Sequence, residues 1–84
     1  MSELVLLTSA ACRLCDHGKA VLGELASQGE LAWRAVDADS PEGVRLASAA
    51  PPLRPVLFWP DGRIAAYGRL SAKRLRRELS RARA

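Results

Sequence analysis

Apolar residues arrive in short blocks along the chain, and the spacing within the blocks changes from one to the next. Glu3–Thr8 (ELVLLT) is a continuous apolar run, which predicts a central strand covered on both faces. Ser9, Ala10 and Ala11 then make a loop. From Arg13 onward, Leu14, Val21, Leu22 and Leu25 fall at offsets of 7, 8 and 11, one side of a helix that Gly29 is placed to stop. Leu31–Asp37 alternates Leu31, Trp33 and Ala35 against Ala32, Arg34 and Val36 and predicts a second strand. Strand, helix and strand in about 35 residues form a βαβ unit with parallel strands.

Ser40 followed by Pro41 reads as a helix start, because a hydroxyl cap precedes a proline whose missing donor costs nothing there. That short helix ends before Pro51-Pro52. Pro55–Trp59 and Arg63–Tyr67 flank Pro60-Asp61-Gly62, which predicts an antiparallel hairpin. Gly68 breaks the pattern and Ser71 is placed to cap a final helix, with Ala72, Leu75, Leu79 and Ala82 on one stripe. The order is βαβαββα.

The 84 residues leave room for one core, and a chain of this size buries only about 60–65% of the surface its unfolded form exposes. No run approaches the roughly 20 apolar residues that span a bilayer, and Leu4–Leu7 is too short for a signal-peptide core. The expectation is a cytoplasmic protein, in which lasting structural disulfides are uncommon. The net charge of +4 divides unevenly: residues 1–60 carry 5 basic and 7 acidic side chains, residues 61–84 carry 8 and 2.

Cys12-Arg13-Leu14-Cys15 follows the first expected strand and opens the first expected helix. Unpaired N–H groups and the helix dipole favour negative charge at that end. A cysteine held there has a lowered thiolate pKa and is a better nucleophile and leaving group. Cys15 lies one turn further along the same face, within disulfide reach. The pair therefore predicts dithiol–disulfide exchange. Cys12 attacks a substrate disulfide, and Cys15 attacks Cys12 to release the reduced substrate. Arg13 adds positive potential beside Cys12, and Asp16 partly opposes it.

The same cysteines admit other readings. As a structural disulfide, closing so short a loop contributes only about 2 kcal/mol. Zinc needs four ligands and only His17 and Asp16 stand near, so no metal site is expected within one chain, while a metal or cluster shared across a dimer stays open. The rival of a different class is a non-catalytic binding module that uses the basic last helix, with Lys73, Arg74, Arg76, Arg77, Arg81 and Arg83. That helix has no interleaved aromatics and no recognition motif, so nucleic acid is not expected and a solvated outer face is the simpler reading. His17, rotated away from Cys12, is expected to be solvated. Trp33, Phe58 and Trp59 are expected in the core or lining a groove, and Asp37 is expected to cap a turn.

The CxxC at a helix start, the βαβαββα order and a proline opening the third strand together resemble glutaredoxin-like members of the thioredoxin superfamily, over essentially the whole chain. The resemblance implies one domain over residues 1–84, an α/β thioredoxin-like fold with a mixed four-stranded sheet and three helices. It implies a thiol–disulfide oxidoreductase with Cys12 and Cys15 catalytic. In that superfamily the proline facing the CxxC is cis, and its neighbouring backbone pairs with the substrate chain. Pro55, ahead of Val56-Leu57-Phe58, matches that position, so Arg54 and Pro55 flank the implied substrate groove, with Arg13, Leu14 and Gly68. The implied substrate is a disulfide-containing protein or small molecule. The implied electron source is glutathione or a reductase, with no bound cofactor and a monomeric protein. The chain departs from the family pattern at Arg13-Leu14, where glutaredoxins usually carry Pro-Tyr. Leu53-Arg54-Pro55 stands for Thr-Val-Pro, and Gly68-Arg69 for Gly-Gly. Ser71 stands for the acidic residue that contacts the glutathione amine.

Overall fold

The computed structural model describes residues 3–83. β1 (Leu4–Thr8), α1 (Arg13–Ser27), β2 (Trp33–Asp37), α2 (Pro41–Ser48), β3 (Val56–Phe58), β4 (Ile64–Tyr67) and α3 (Ala72–Arg83) follow one another along the chain. The four strands form one mixed sheet in the order β2-β1-β3-β4. β1 runs parallel to β2, from Leu4 opposite Trp33 to Thr8 opposite Asp37. It runs antiparallel to β3, with Leu7 opposite Val56, and β3 pairs antiparallel with β4, with Val56 opposite Tyr67.

The continuous apolar run of β1 is buried at every residue because each face of the strand meets a different layer. Leu4 and Leu6 join Leu57 and Ala66 beneath Leu22 and Leu25 of α1 and Leu75 of α3. Val5 and Leu7 join Val36, Val56 and Phe58 on the opposite face, where Leu46 and Ala47 of α2 pack. Fully burying a leucine contributes about 1.5–3 kcal/mol, so residues of zero exposure such as Leu6, Leu22 and Leu25 anchor the layers.

Helix ends follow local chemistry. Gly29, at φ 74°, closes α1: its N–H donates to Ala26 O and that of Glu30 donates to Leu25 O, the paired bonds of a Schellman ending. Ser40 Oγ accepts from Gly43 N–H at 3.0 Å and Ser71 Oγ from Arg74 N–H at 3.1 Å, so both expected hydroxyl caps are formed. Asp37 makes a turn as expected, its Oδ1 accepting from the Asp39 N–H at 2.8 Å.

Several boundaries differ from the sequence reading. Leu31 and Ala32 lie before β2, although Ala32 O already accepts from Leu4 N–H. Pro55, which has no N–H to donate, lies outside β3, and Trp59 belongs to the hairpin turn, donating to Arg63 O at 2.8 Å. Leu14 does not join the buried side of α1: it is 38% exposed, and Cys15, Gly18, Leu22 and Leu25 form the inner stripe. Ala82 is exposed near the end of α3, where the stripe has run past the sheet. The Arg83 side chain lies outside the described residues. Among the described residues no helix is long and apolar enough to cross a membrane.

A salt link fastens α2 to the edge of the sheet. Arg34 of β2 donates to both carboxylate oxygens of Glu42, at 2.9 and 2.6 Å. These hydrogen bonds hold the Glu42 carboxyl below its ordinary value of 4.5. A carboxyl whose pKa falls on folding adds stability above its unfolded value and loses it as pH falls through the folded value. The pair is exposed, so the effect is small. Glu42→Gln is expected to lower the urea midpoint slightly at neutral pH, with the two proteins converging as the pH is taken well below 4.5.

Gly43 permits α2 to lie on the β2 turn. A Cβ there would collide with the Asp37 carbonyl, whose carbon would be 2.7 Å away, and with Ala38 Cα at 2.8 Å. Gly23, in the middle of α1, faces open space. Gly43→Ala is expected to destabilise by about 2 kcal/mol or more through overpacking against backbone. Gly23→Ala is expected to stabilise by about 0.5–1 kcal/mol through helix propensity. Chemical denaturation of the two variants measures both.

Candidate functional site

The chain leaves β1 at Thr8 and turns through Ala11, which takes the left-handed φ of 53°. That conformation costs a non-glycine residue of the order of 1 kcal/mol. It delivers Cys12 to the N-cap of α1 in an extended conformation, φ −116° and ψ 107°. The position usually holds Ser, Thr, Asp or Asn, whose oxygen accepts from the first turn. Here sulfur does so: the Cys15 N–H donates to Cys12 Sγ at 3.0 Å, and the Asp16 N–H donates to Cys12 O at 3.1 Å.

Cys12 and Cys15 are joined in a disulfide with their Cα atoms 5.1 Å apart. Their environments differ. Cys12 is half-buried and reachable, whereas Cys15 is 1% exposed on the inner stripe of α1. When the bridge is opened, the N-cap geometry places a backbone donor on Cys12, which favours its thiolate. Arg13 and Leu14 project outward between the cysteines, and Asp16 is exposed beside them.

Two further segments close around this end of the sheet. The Arg54–Pro55 peptide bond is cis, and Pro55 is fully buried. Its carbonyl accepts from the Gly68 N–H at 2.8 Å, which ties the start of β3 to the end of β4. Gly18, one turn beyond Cys15, has no side chain where a Cβ would lie 3.5 Å from Pro55 Cγ and 3.2 Å from Leu70 Cδ1. The structure therefore brings Cys12, Cys15, Arg13, Leu14, Arg54, Pro55 and Gly68 to one end of the molecule. Arg54 folds back on its own loop, donating to Leu53 O at 2.7 Å.

His17 corrects the sequence reading. It is half-buried rather than solvated, and its Nε2 lies 3.1 Å from Leu70 O. A carbonyl oxygen only accepts, so Nε2 carries the hydrogen. His17 thus fastens α1 to the segment that follows Gly68. Trp59 packs on the core and lines a groove, as expected. It sits at the far end of β3, beside a hollow of about 210 Å³ lined by Arg63, Glu78, Arg81 and Ala82, away from the disulfide. Trp33 packs against the α1 face of the core and Phe58 is buried on the α2 face.

Composition gave no signal for two apolar side chains left open near the disulfide end. Tyr67, opposite Val56, is 55% exposed, and Leu53, in the loop before Pro55, is 46% exposed. With Leu14 they add exposed apolar area at this end of the molecule. Among the described residues, no three His, Cys, Asp or Glu side chains are grouped as metal ligands would be. Compared with known proteins, the chain matches no protein-family model and no curated protein.

His17→Ala removes the tie to Leu70. It is expected to cost about 1 kcal/mol of stability in urea denaturation. Faster hydrogen exchange at the Gly68 amide, whose partner is Pro55 O, is the accompanying local readout.

Proposed function

We propose that the protein is a thiol–disulfide oxidoreductase of thioredoxin-like fold that reduces protein or low-molecular-weight disulfides through Cys12 and Cys15. One observation carries the reading. A reachable cysteine sits at a helix N-cap with a backbone N–H on its sulfur, bonded to a second cysteine buried behind it. A structural staple has no use for that asymmetry, whereas exchange chemistry needs one sulfur exposed to attack and one held in reserve.

The reaction starts from the dithiol. The Cys12 thiolate attacks one sulfur of the substrate disulfide, forming a mixed disulfide and expelling the other substrate sulfur as a thiolate. Cys15 gives up its proton and attacks Cys12 Sγ. The second substrate thiolate leaves, and the Cys12–Cys15 bond remains. Two electrons have passed to the substrate, and a thiol reductant returns them by the reverse exchange. The Cys15 N–H stabilises Cys12 as attacking anion in the first step and as leaving group in the return. Arg13, Leu14, Arg54, Pro55 and Gly68 border the place where the substrate sulfurs must lie.

The cysteine variants separate the roles. Cys12→Ser is expected to abolish reduction of a neutral small disulfide, a loss of at least about 1000-fold, since the attacking anion is gone. Cys15→Ser is expected to leave the first step intact and to trap the mixed disulfide, seen as an added mass that excess thiol removes. Reductase activity that survives in Cys12→Ser and disappears in Cys15→Ser would reverse the assignment. Activity retained in both would remove the proposal.

A further inference from the structure

The cations around the disulfide come from separate parts of the chain, and hydrogen bonds bring those parts together. Arg13 stands one turn before His17 on the same side of α1, and His17 reaches Leu70 O. That contact places Arg13 on the side of α1 turned toward Arg69. The Gly68 N–H to Pro55 O bond sets Arg69 near Arg54. From Arg69 the chain enters α3, whose exposed side carries Lys73, Arg74 and Arg77.

Among the described residues, Arg13, Arg69, Lys73, Arg74 and Arg77 make no ion pair. The acids nearer the other end of α3 are occupied: Glu30 holds Arg76 at 2.9 Å and Glu78 lies 3.6 Å from Arg81. Asp16 is the acidic group closest in sequence to Arg13, and among the described residues it makes no ion pair. The placement also opposes helix physics. The first turn of α3 holds no acidic residue, and Lys73 and Arg74 stand where the helix dipole disfavours cations. Lys73 and Arg77 repel each other at i, i+4.

We propose that this basic rim docks an acidic segment of the protein whose disulfide is exchanged at Cys12. The inference rests on the dithiol reading and names its partner. A small anionic disulfide at Cys12 would meet the adjacent Arg13 and the cations beside it. The row continues one further helical turn, about 6 Å, from Lys73 to Arg77, which suits a polypeptide lying along α3. Base-stacking aromatics are missing from α3, which favours an acidic protein over single-stranded nucleic acid.

Three disulfides test it against the reduced protein: a short peptide disulfide flanked by Asp and Glu, the same peptide with Lys in their place, and a neutral small disulfide. The acidic peptide is expected to react about tenfold faster than the lysine peptide at low ionic strength. The gap should narrow as salt is raised from about 20 mM to about 200 mM. Lys73→Glu combined with Arg77→Glu is expected to erase the preference and to leave the rate on the neutral disulfide unchanged. Equal rates for the two peptides, or a preference that survives the double charge reversal, would overturn the proposal. Binding is read separately by titrating a thiol-free acidic peptide into the oxidised protein and following amide shifts. Salt-sensitive shifts at Arg69, Lys73 and Arg77 support the docking surface. No shift there, or tighter binding of an oligonucleotide, defeats it. A protein that reduces none of the three disulfides yet binds the acidic peptide at these residues keeps the docking surface and loses the dithiol reading.

Discussion

Cys15, Gly18, Leu22 and Leu25 form the buried seam of α1, and every group around the disulfide takes its position from how that seam meets the sheet. The two leucines anchor the far half of the helix among Leu4, Leu6 and Leu57. The near half is small by contrast, a cysteine and a glycine, and this lets Pro55 and Leu70 approach the helix closely. A Cβ at position 18 would lie 3.2 Å from Leu70 Cδ1 and press on it, and would fill the remaining space against Pro55 Cγ at 3.5 Å. Dense packing transmits such a change directly, because a filled interior has little room to absorb it. The chemistry at Cys12 and the packing at Gly18 are therefore one problem.

The N-cap arrangement adds the electrostatic half. Sulfur is a weak acceptor when neutral, so in the disulfide the Cys15 N–H to Cys12 contact contributes little to stability. Once the bridge opens and Cys12 becomes a thiolate, the same contact turns into a charge-assisted hydrogen bond at the positive end of a helix. The geometry thus supports a Cys12 thiolate whenever the bridge is open. The left-handed turn at Ala11 is a local cost borne by the rest of the fold, and it serves to hold Cys12 at that cap.

Much of this was legible along the chain because it is local. The strand run at Leu4–Thr8, the caps at Ser40 and Ser71 and the stop at Gly29 depend on neighbours a few residues away. The CxxC and Pro55 were legible by position relative to those elements. What failed was what depends on distant residues or on counting only large apolar side chains. Periodicity favoured Leu14 for the core because leucine is apolar and cysteine and glycine are weak signals, yet Cys15 and Gly18 take the inner positions. His17 meets a carbonyl 53 residues away, a partner no window along the sequence contains.

The three helices differ in how their first turns treat charge. α1 opens with Asp16 and α2 with Glu42, each an anion at the end where the dipole favours one, and Glu42 also holds Arg34. α3 opens with Lys73 and Arg74 and has no such anion. Farther along, Arg76 reaches Glu30 and Gln28 and ties α3 to the end of α1, so that cation works within the fold. The basic helix is thus divided along its length: Arg76 fastens the domain, while Lys73 and Arg74 in the first turn weaken the helix slightly and make no ion pair among the described residues. Folding alone gives no reason to keep cations in that first turn. The proposed acidic partner would supply one, because its charge would relieve both the dipole and the mutual repulsion on docking.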